Sequence, residues 1–302
     1  MEVLPGDVVS LSSRDWMGRY RLVKLLRASR TCQVWEGMNS ENESHVALKI
    51  LNRDLCSDRV LVASMKHEFM VGSEMDHENV VRHFEFDFAQ DVPYIVLEFF
   101  TVRNVMQALQ TLGSEKLAPI IHSVLLKCAK GLEYFHNQNW IHRDIKPENF
   151  LINDKGKVKL IDFALAIQRP KGGFQLGRLF RPKGSVQGTH SYMSPEQIRG
   201  KQLDVTSDVY SFGCMAYRLI SGKPPYAAES ANELLNRHLK SGIPSLATFS
   251  DNITSEFADL VIKMMAKNPE QRIASMRDVV RELARVRVFK TPPGRVVPQK
   301  KT

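Results

Sequence analysis

His142-Arg143-Asp144-Ile145-Lys146-Pro147-Glu148-Asn149, followed by Ile161-Asp162-Phe163-Ala164, is the stretch that decides the fold. Asp162 comes thirteen residues after Asn149. Two aspartates, one amide and one lysine thus fall on two short neighbouring segments. Carboxylate and amide oxygens suit a hard divalent cation, a carboxylate can take the proton of an incoming hydroxyl, and an ammonium can offset phosphate charge.

The same string resembles the catalytic loop of protein kinases, H-R-D-x-K-x-x-N, with its D-F-x magnesium motif downstream. The resemblance covers residues 20 to 285. It implies an α+β, bilobal protein-kinase-like fold, with a small β-rich N-lobe holding one main helix and a larger, mostly helical C-lobe. The expected boundaries are an N-terminal arm over 1–18 and a kinase domain over 19–290. Within that domain the N-lobe is 19–98, the hinge 98–102 and the C-lobe 103–290. A basic, Pro-containing tail at 291–302 is expected to be disordered.

Working toward the N-terminus, Arg19–Leu26, Gln33–Met38 and His45–Ile50 read as strands, with a hairpin turn over Asn39–Ser44. Kinases carry G-x-G-x-x-G-x-V between the first two strands, and alignment on Val34 puts Arg27, Ser29 and Cys32 at the glycine positions. That departure bears on phosphate cradling, which Arg27 or Arg30 could supply instead. Val46-Ala47-Leu48-Lys49 resembles the V-A-I-K strand, so Lys49 would meet the α- and β-phosphates of ATP. A helix is expected over Leu61–Met75, and the resemblance makes Glu68 the partner of Lys49, with Glu74 as the rival. Gly72 and His83 fall where the family has bulky apolar residues. A void there, and a loosely held helix needing a partner or self-association to seat it, are the expectation. Pro93–Phe100 reads as a buried strand entering the hinge. The resemblance makes Leu97 the back of the adenine pocket, Glu98 and Phe100 its backbone partners, and Leu26, Val34, Ala47 and Leu151 its apolar walls.

Beyond the hinge, Thr101–His136 has helical spacing, with Ile121, Val124, Leu125, Cys128, Leu132 and Phe135 on one face. By resemblance Asp144 directs the substrate hydroxyl and Lys146 stabilises the transferring phosphoryl, a lysine position that favours Ser/Thr over Tyr. Asn149 and Asp162 would bind Mg2+. Ala164 replaces the usual glycine. Ile167–Ser194 would be the activation segment, with Arg143 receiving a phosphate placed on Ser185 or, alternatively, Ser191. Thr189 would bridge Asp144 and Lys146, Glu196 would pair with Arg272, and Asp208 would hold the catalytic loop's backbone; a helix N-cap is the plainer role for Asp208.

With 302 residues, 43% apolar and 25% charged, the chain is an ordinary globular sequence. No run approaches the ~18 apolar residues of a membrane span. The start shows no signal-peptide pattern, so the expected location is cytoplasmic. Cys32, Cys56, Cys128 and Cys214 are scattered, without a C-x-x-C pair. That spacing disfavours a zinc site or a disulfide framework. The net charge of +9 favours encounters with acidic partners. It comes with no nucleic-acid-binding motif.

The expected activity is transfer of the ATP γ-phosphoryl group to a Ser/Thr hydroxyl of a protein, the chain itself included, with ATP and Mg2+ as cofactors. A second reading, from a different class, is a pseudokinase scaffold. Arg27, Ser29 and Cys32 for glycines, Ala164, and the Gly72/His83 pair support it.

Overall fold

The computed structural model describes residues 15–100, 103–169 and 189–291. The chain divides into two compact units. Of the described residues, the first holds 15–73 together with Arg82–Phe100, and the second holds Glu74–Val81, 103–169 and 189–291.

The first unit is strand-rich. β1 (Trp16–Met17), β2 (Tyr20–Ala28), β3 (Cys32–Asn39), β4 (His45–Leu51), β5 (His83–Ala89) and β6 (Val92–Glu98) form one antiparallel sheet in the order β1-β2-β3-β4-β6-β5. Alternation along the strands sorts its two faces. Val46, Leu48 and Ile50 join Tyr20, Tyr94 and Val96 in one apolar cluster. Leu51 and Ile95 meet Met65 of α1 (Arg59–Ser73) in the other.

Two sequence expectations change here. The arm expected over 1–18 contributes β1, which reaches β2 through Gly18 at φ 58°. A two-residue strand is too short for alternation to reveal. Residues 74–81, inside the expected N-lobe, belong to the second unit. There the Val81 amide donates to the Leu160 carbonyl (3.0 Å) and the His77 ring stacks on Tyr134 at 4.7 Å.

The expected void beside Gly72 is absent. A Cβ built on Gly72 would lie 2.3 Å from Cγ and Nδ1 of His83, so the imidazole fills the space the missing side chain leaves. The loosely held helix loses its physical ground. Gly→Ala inside a helix is ordinarily stabilising by about 1 kcal/mol. Gly72→Ala should instead cost roughly 1–3 kcal/mol by overpacking. Gly72→Leu combined with His83→Ala should recover part of that loss, as read by thermal unfolding. A higher Tm for Gly72→Ala alone would refute the complementary packing.

The second unit is mainly helical. α2 (Val105–Asn137) opens with a capping box between Asn104 and Gln107 and is broken at Gly113, φ 76°. The ribbons β7 (Trp140–Ile141) with β10 (Ile167–Gln168), and β8 (Phe150–Ile152) with β9 (Val158–Leu160), flank the quoted loop. α3 (Pro195–Ile198), α4 (Val205–Ser221), α5 (Ala231–Lys240), α6 (Ser255–Met264) and α7 (Met276–Arg285) follow. Nearly every residue of α4 is buried, the mark of a central helix. Its N-cap is Asp204, not Asp208, and left-handed Gly222 ends it before the tandem prolines. Thr291, the first residue of the expected tail, is fastened by two hydrogen bonds to the Asn252 side chain (2.8 and 2.9 Å). The rest of that tail, 292–302, and residues 1–14 lie outside the described residues. No helix among the described residues is long and apolar enough to cross a membrane.

Candidate active site

Asp208 is the fixed point of the second unit's polar cluster. It is fully buried, and its carboxylate accepts the amides of His142 (2.7 Å) and Arg143 (2.8 Å) and a bond from His136 Nε2 (2.8 Å). Burial pushes the Asp208 carboxyl up, but the bond and charge of His136, with His142, outweigh it and hold it below the usual range. Those bonds brace a strained backbone, because Arg143 sits at φ 71°. A left-handed non-glycine residue persists only where its surroundings over-determine it. Gln197 Nε2 holds the Arg143 carbonyl as well (2.9 Å).

Asp144 follows directly and is surrounded by donors. Lys146 Nζ (2.5 Å) and Asn149 Nδ2 (3.1 Å) bond Oδ2, while the Thr189 amide (3.1 Å) and hydroxyl (3.2 Å) bond Oδ1. Lys146 also donates to the Thr189 hydroxyl (2.8 Å). The His142 ring accepts the Asp144 amide on Nδ1 (3.3 Å), which leaves Nε2–H for the Ile161 carbonyl (3.2 Å). The loop therefore reaches the segment that carries Asp162, which is itself left-handed at φ 69°. Phe163 is buried against Phe135 (5.1 Å, stacked) and against His142 (5.9 Å, edge-on).

The oxygens fit a hard cation. Both hydrogens of Asn149 Nδ2 are spent on Asp144, on its carbonyl (2.8 Å) and its carboxylate, so Oδ1 is the group Asn149 can offer a metal. The Ile161 amide donates to the Asn149 carbonyl (3.0 Å), which sets Asp162 beside it in the chain. One amide oxygen with one carboxylate is a Mg2+-type donor set when phosphate oxygens and water complete it.

Glu196 and Arg272 form a two-pronged ion pair (2.6 and 2.8 Å). The guanidinium also serves the Thr206, Ala266 and Lys267 carbonyls, and Ser207 donates to Glu196 (2.7 Å). Arg143 Nη1 donates to the Leu165 carbonyl (3.3 Å). Ser185 and most of the expected activation segment, 170–188, lie outside the described residues. Ser191 lies in a half-exposed turn over His190–Tyr192.

In the first unit, Lys49 Nζ bonds both carboxylate oxygens of Glu68 (2.8 and 2.6 Å), and Glu68 is buried. The rival, Glu74, is exposed and accepts Trp140 Nε1 within the second unit (2.9 Å). Strand register pairs Val34 with Lys49 and Ala47 with Leu97, so these four share one face of the sheet. The Glu98 amide donates to the Arg82 carbonyl (2.9 Å), so its carbonyl is the backbone group it could offer adenine. Leu26 lies at a bulge of β2, Phe100 ends the first unit, and Leu151 lies on β8 of the second unit.

The β2–β3 turn shows what replaces the glycines. Arg27 is exposed and pairs with Val34 in the ladder. The Ser29 hydroxyl donates to the Cys32 carbonyl (2.8 Å) and accepts the Cys32 amide (3.0 Å). Asn52 bonds the Ser29 and Arg30 carbonyls through its side chain and the Thr31 carbonyl through its amide. Side chains thus close a turn that the sequence left as a degenerate loop. Asn52, His136 and Gln197 were not identified from sequence, and only Gln197 left a signal, the S-x-x-Q capping pattern begun by Ser194.

A family model described as protein kinase domain matches residues 20–283. A probable serine/threonine-protein kinase of Streptomyces coelicolor is 30% identical over 265 residues, covering 85% of this chain and 38% of that protein. The serine/threonine-protein kinase PknB of Mycolicibacterium smegmatis is 28% identical over 282 residues, covering 91% of this chain and 44% of its own length. PrkC of Bacillus subtilis, also a serine/threonine-protein kinase, is 27% identical over 265 residues, covering 87% and 39%. The chain therefore spans about two fifths of the length of these curated relatives.

Proposed function

Since the chain belongs to the protein kinase domain family, we propose that it transfers the γ-phosphoryl group of ATP to serine or threonine hydroxyls of proteins, itself among them. The observation that carries this reading is the cluster of Asp144, Lys146, Asn149 and Thr189. Oδ1 of Asp144 already accepts an aliphatic hydroxyl, that of Thr189. The same carboxylate can therefore orient a substrate hydroxyl and take its proton as the phosphoryl moves. Lys146 carries positive charge to that point. Lys49, oriented by Glu68, would hold the α- and β-phosphates. Asn149 and Asp162 would hold Mg2+, which offsets the phosphate charge when bound. Adenine would meet Val34, Ala47, Leu97, Leu26 and Leu151, with backbone bonds from Glu98 and Phe100. The names of the curated relatives support the Ser/Thr class, as does Lys146. We place the protein in the cytoplasm, where ATP and Mg2+ are supplied.

One observation favours the scaffold reading instead. The turn at 29–32 is pinned by Ser29 and Asn52 and lacks the glycines that let backbone amides close over phosphate. Incubation with γ-labelled ATP and Mg2+, followed by phosphoamino-acid analysis, separates the two. Phosphoserine or phosphothreonine that disappears with EDTA supports transfer. Background label on the chain and on a basic protein substrate would leave the scaffold.

A further inference from the structure

A second set of polar groups is buried in the second unit, and the transfer chemistry does not use it. Lys267, just beyond α6, is its centre. Its Nζ donates to the Tyr226 hydroxyl (2.8 Å), the His238 carbonyl (2.8 Å) and the Tyr210 hydroxyl (3.3 Å). It also lies 4.4 Å from the Tyr226 ring centroid. The Tyr210 hydroxyl is 3.0 Å from His238 Nδ1, and the Tyr226 hydroxyl donates to the Ser241 carbonyl (3.3 Å). Tyr210 is on α4 and His238 on α5, and Ser241 caps the end of α5. The Lys267 carbonyl accepts from Arg272, the partner of Glu196 (3.1 Å). One residue thus ties α5 both to α4 and to the buried ion pair.

α5 packs against the turn over His190–Tyr192. Ser211 of α4 donates to the Tyr192 carbonyl (2.7 Å). Thr189 caps that turn, and its amide and hydroxyl hold Asp144.

The protons in this network can be counted. A charged lysine has three N–H groups for its three acceptors. Tyr210 accepts from Lys267 and shares a hydrogen bond with His238 Nδ1, while the proton of Tyr226 goes to Ser241. A neutral lysine keeps two N–H groups and gains a lone pair. With two donors for three acceptors, one of its bonds to Tyr210, Tyr226 or the His238 carbonyl is lost, and each of the three ties Lys267 to α5, directly or through His238 or Ser241.

We propose that Lys267 is a positioning residue for phosphoryl transfer: its ammonium seats α5 against the 190–192 turn and so keeps Thr189 on Asp144. The proposal rests on the kinase reading above. Tyr210 and Cys214 of α4, Tyr226, His238 of α5 and Arg272 face the Nζ, with Glu196 behind Arg272, and among the described residues none of its hydrogen-bond partners is a carboxylate. Burial lowers the Lys267 ammonium to about 8, with Cys214 opposing and Arg272 assisting. Burial also lowers His238 to about 4 and raises Cys214 to about 12, so both stay neutral in the intervening range. Tyr210 and Tyr226 are raised by burial and keep their protons.

The test is kcat against pH from 6 to 10 for the native chain, Lys267→Arg and Lys267→Met, with hydrogen exchange of peptides covering 189–194 and 231–241. With the ammonium titrating at about 8, native kcat should fall about tenfold from pH 7 to 9. Protection of both peptides, corrected for intrinsic rates, should fall with it. Lys267→Arg stays charged and should show neither change. Lys267→Met should be slow at every pH, with KM for Mg·ATP unaltered. Unfolding should not accompany the loss. A folded-state value below the ordinary 10.5 means that the unfolded chain binds more protons between about 8 and 10.5, so this group makes stability rise with pH there. If Lys267→Arg reproduces the native fall in rate and protection, or Lys267→Met matches the native chain, the proposal is wrong. Where Lys267→Met does not fold, the arginine comparison decides. A chain that transfers no phosphate refutes the kinase reading, while hydrogen exchange still judges Lys267.

Discussion

Arg272→Met is expected to destabilise the second unit by about 3–5 kcal/mol, the cost of leaving one partner of a buried ion pair uncompensated. Arg272 is 6% exposed and Glu196 5%. The substitution strands the Glu196 carboxylate and three backbone carbonyls together. Glu196→Leu added to Arg272→Met should recover much of the loss, because two apolar groups need no partner. The native pair should also fail in acid. Burial pushes the Glu196 carboxyl up, but the bond and charge of Arg272, with Ser207, outweigh it and hold it below 4.5. A carboxyl with a folded-state value below its unfolded one contributes stability above the unfolded value, and loses it as pH falls through the folded one. Urea unfolding of native and Arg272→Met chains between pH 7 and 3 checks this: the gap should be full at neutral pH and narrow once the pH falls below 4.5 toward the lowered folded-state value. A gap under 1 kcal/mol at pH 7 would refute the bracing role.

Asp208→Ala should be nearly as costly and should abolish transfer as well. It removes the acceptor of two consecutive amides and of His136. Each buried donor left without a partner costs about 1–3 kcal/mol. The left-handed backbone at Arg143, worth roughly 1–3 kcal/mol of strain, then has lost its main restraint and should relax. Asp144 is the next residue, so its carboxylate moves with the loop. Calorimetry should show a lower Tm. In any fraction that stays folded, transfer should fall further than nucleotide affinity, and equal losses in both would point to a different role.

The string at 142–149 was legible because the chemistry proposed for it demands particular side chains at contiguous positions, which a sequence displays directly. Lys49 with Glu68, Glu196 with Arg272, and Asp208 on the loop amides could be named because family motifs fix their order along the chain. What escaped was compensation between distant positions. Gly72 and His83 each read as a loss, yet the ring of one occupies the place of the other. No periodicity links a helix glycine to a strand histidine. Ser29 and Asn52 close the β2–β3 turn by hydrogen bonds from two different elements, which a search for missing glycines cannot find. The helical spacing runs on through Gly113 because the chain resumes a helix after a single left-handed residue.

Single-turnover transfer from saturating Mg·ATP, native against Asp144→Asn, is the most direct test of the claim that Asp144 directs the hydroxyl, with Mg·ATP-dependent thermal stabilisation measured on the same samples. The amide keeps the shape and can still bond Lys146 and Asn149 through its oxygen, but it cannot take a proton. Transfer should fall by about 10²–10⁴-fold. The thermal shift with Mg·ATP should be unchanged, because Asp144 is not among the groups assigned to nucleotide or metal. Native-rate transfer by Asp144→Asn, or an equal loss of transfer and of nucleotide stabilisation, would contradict the account.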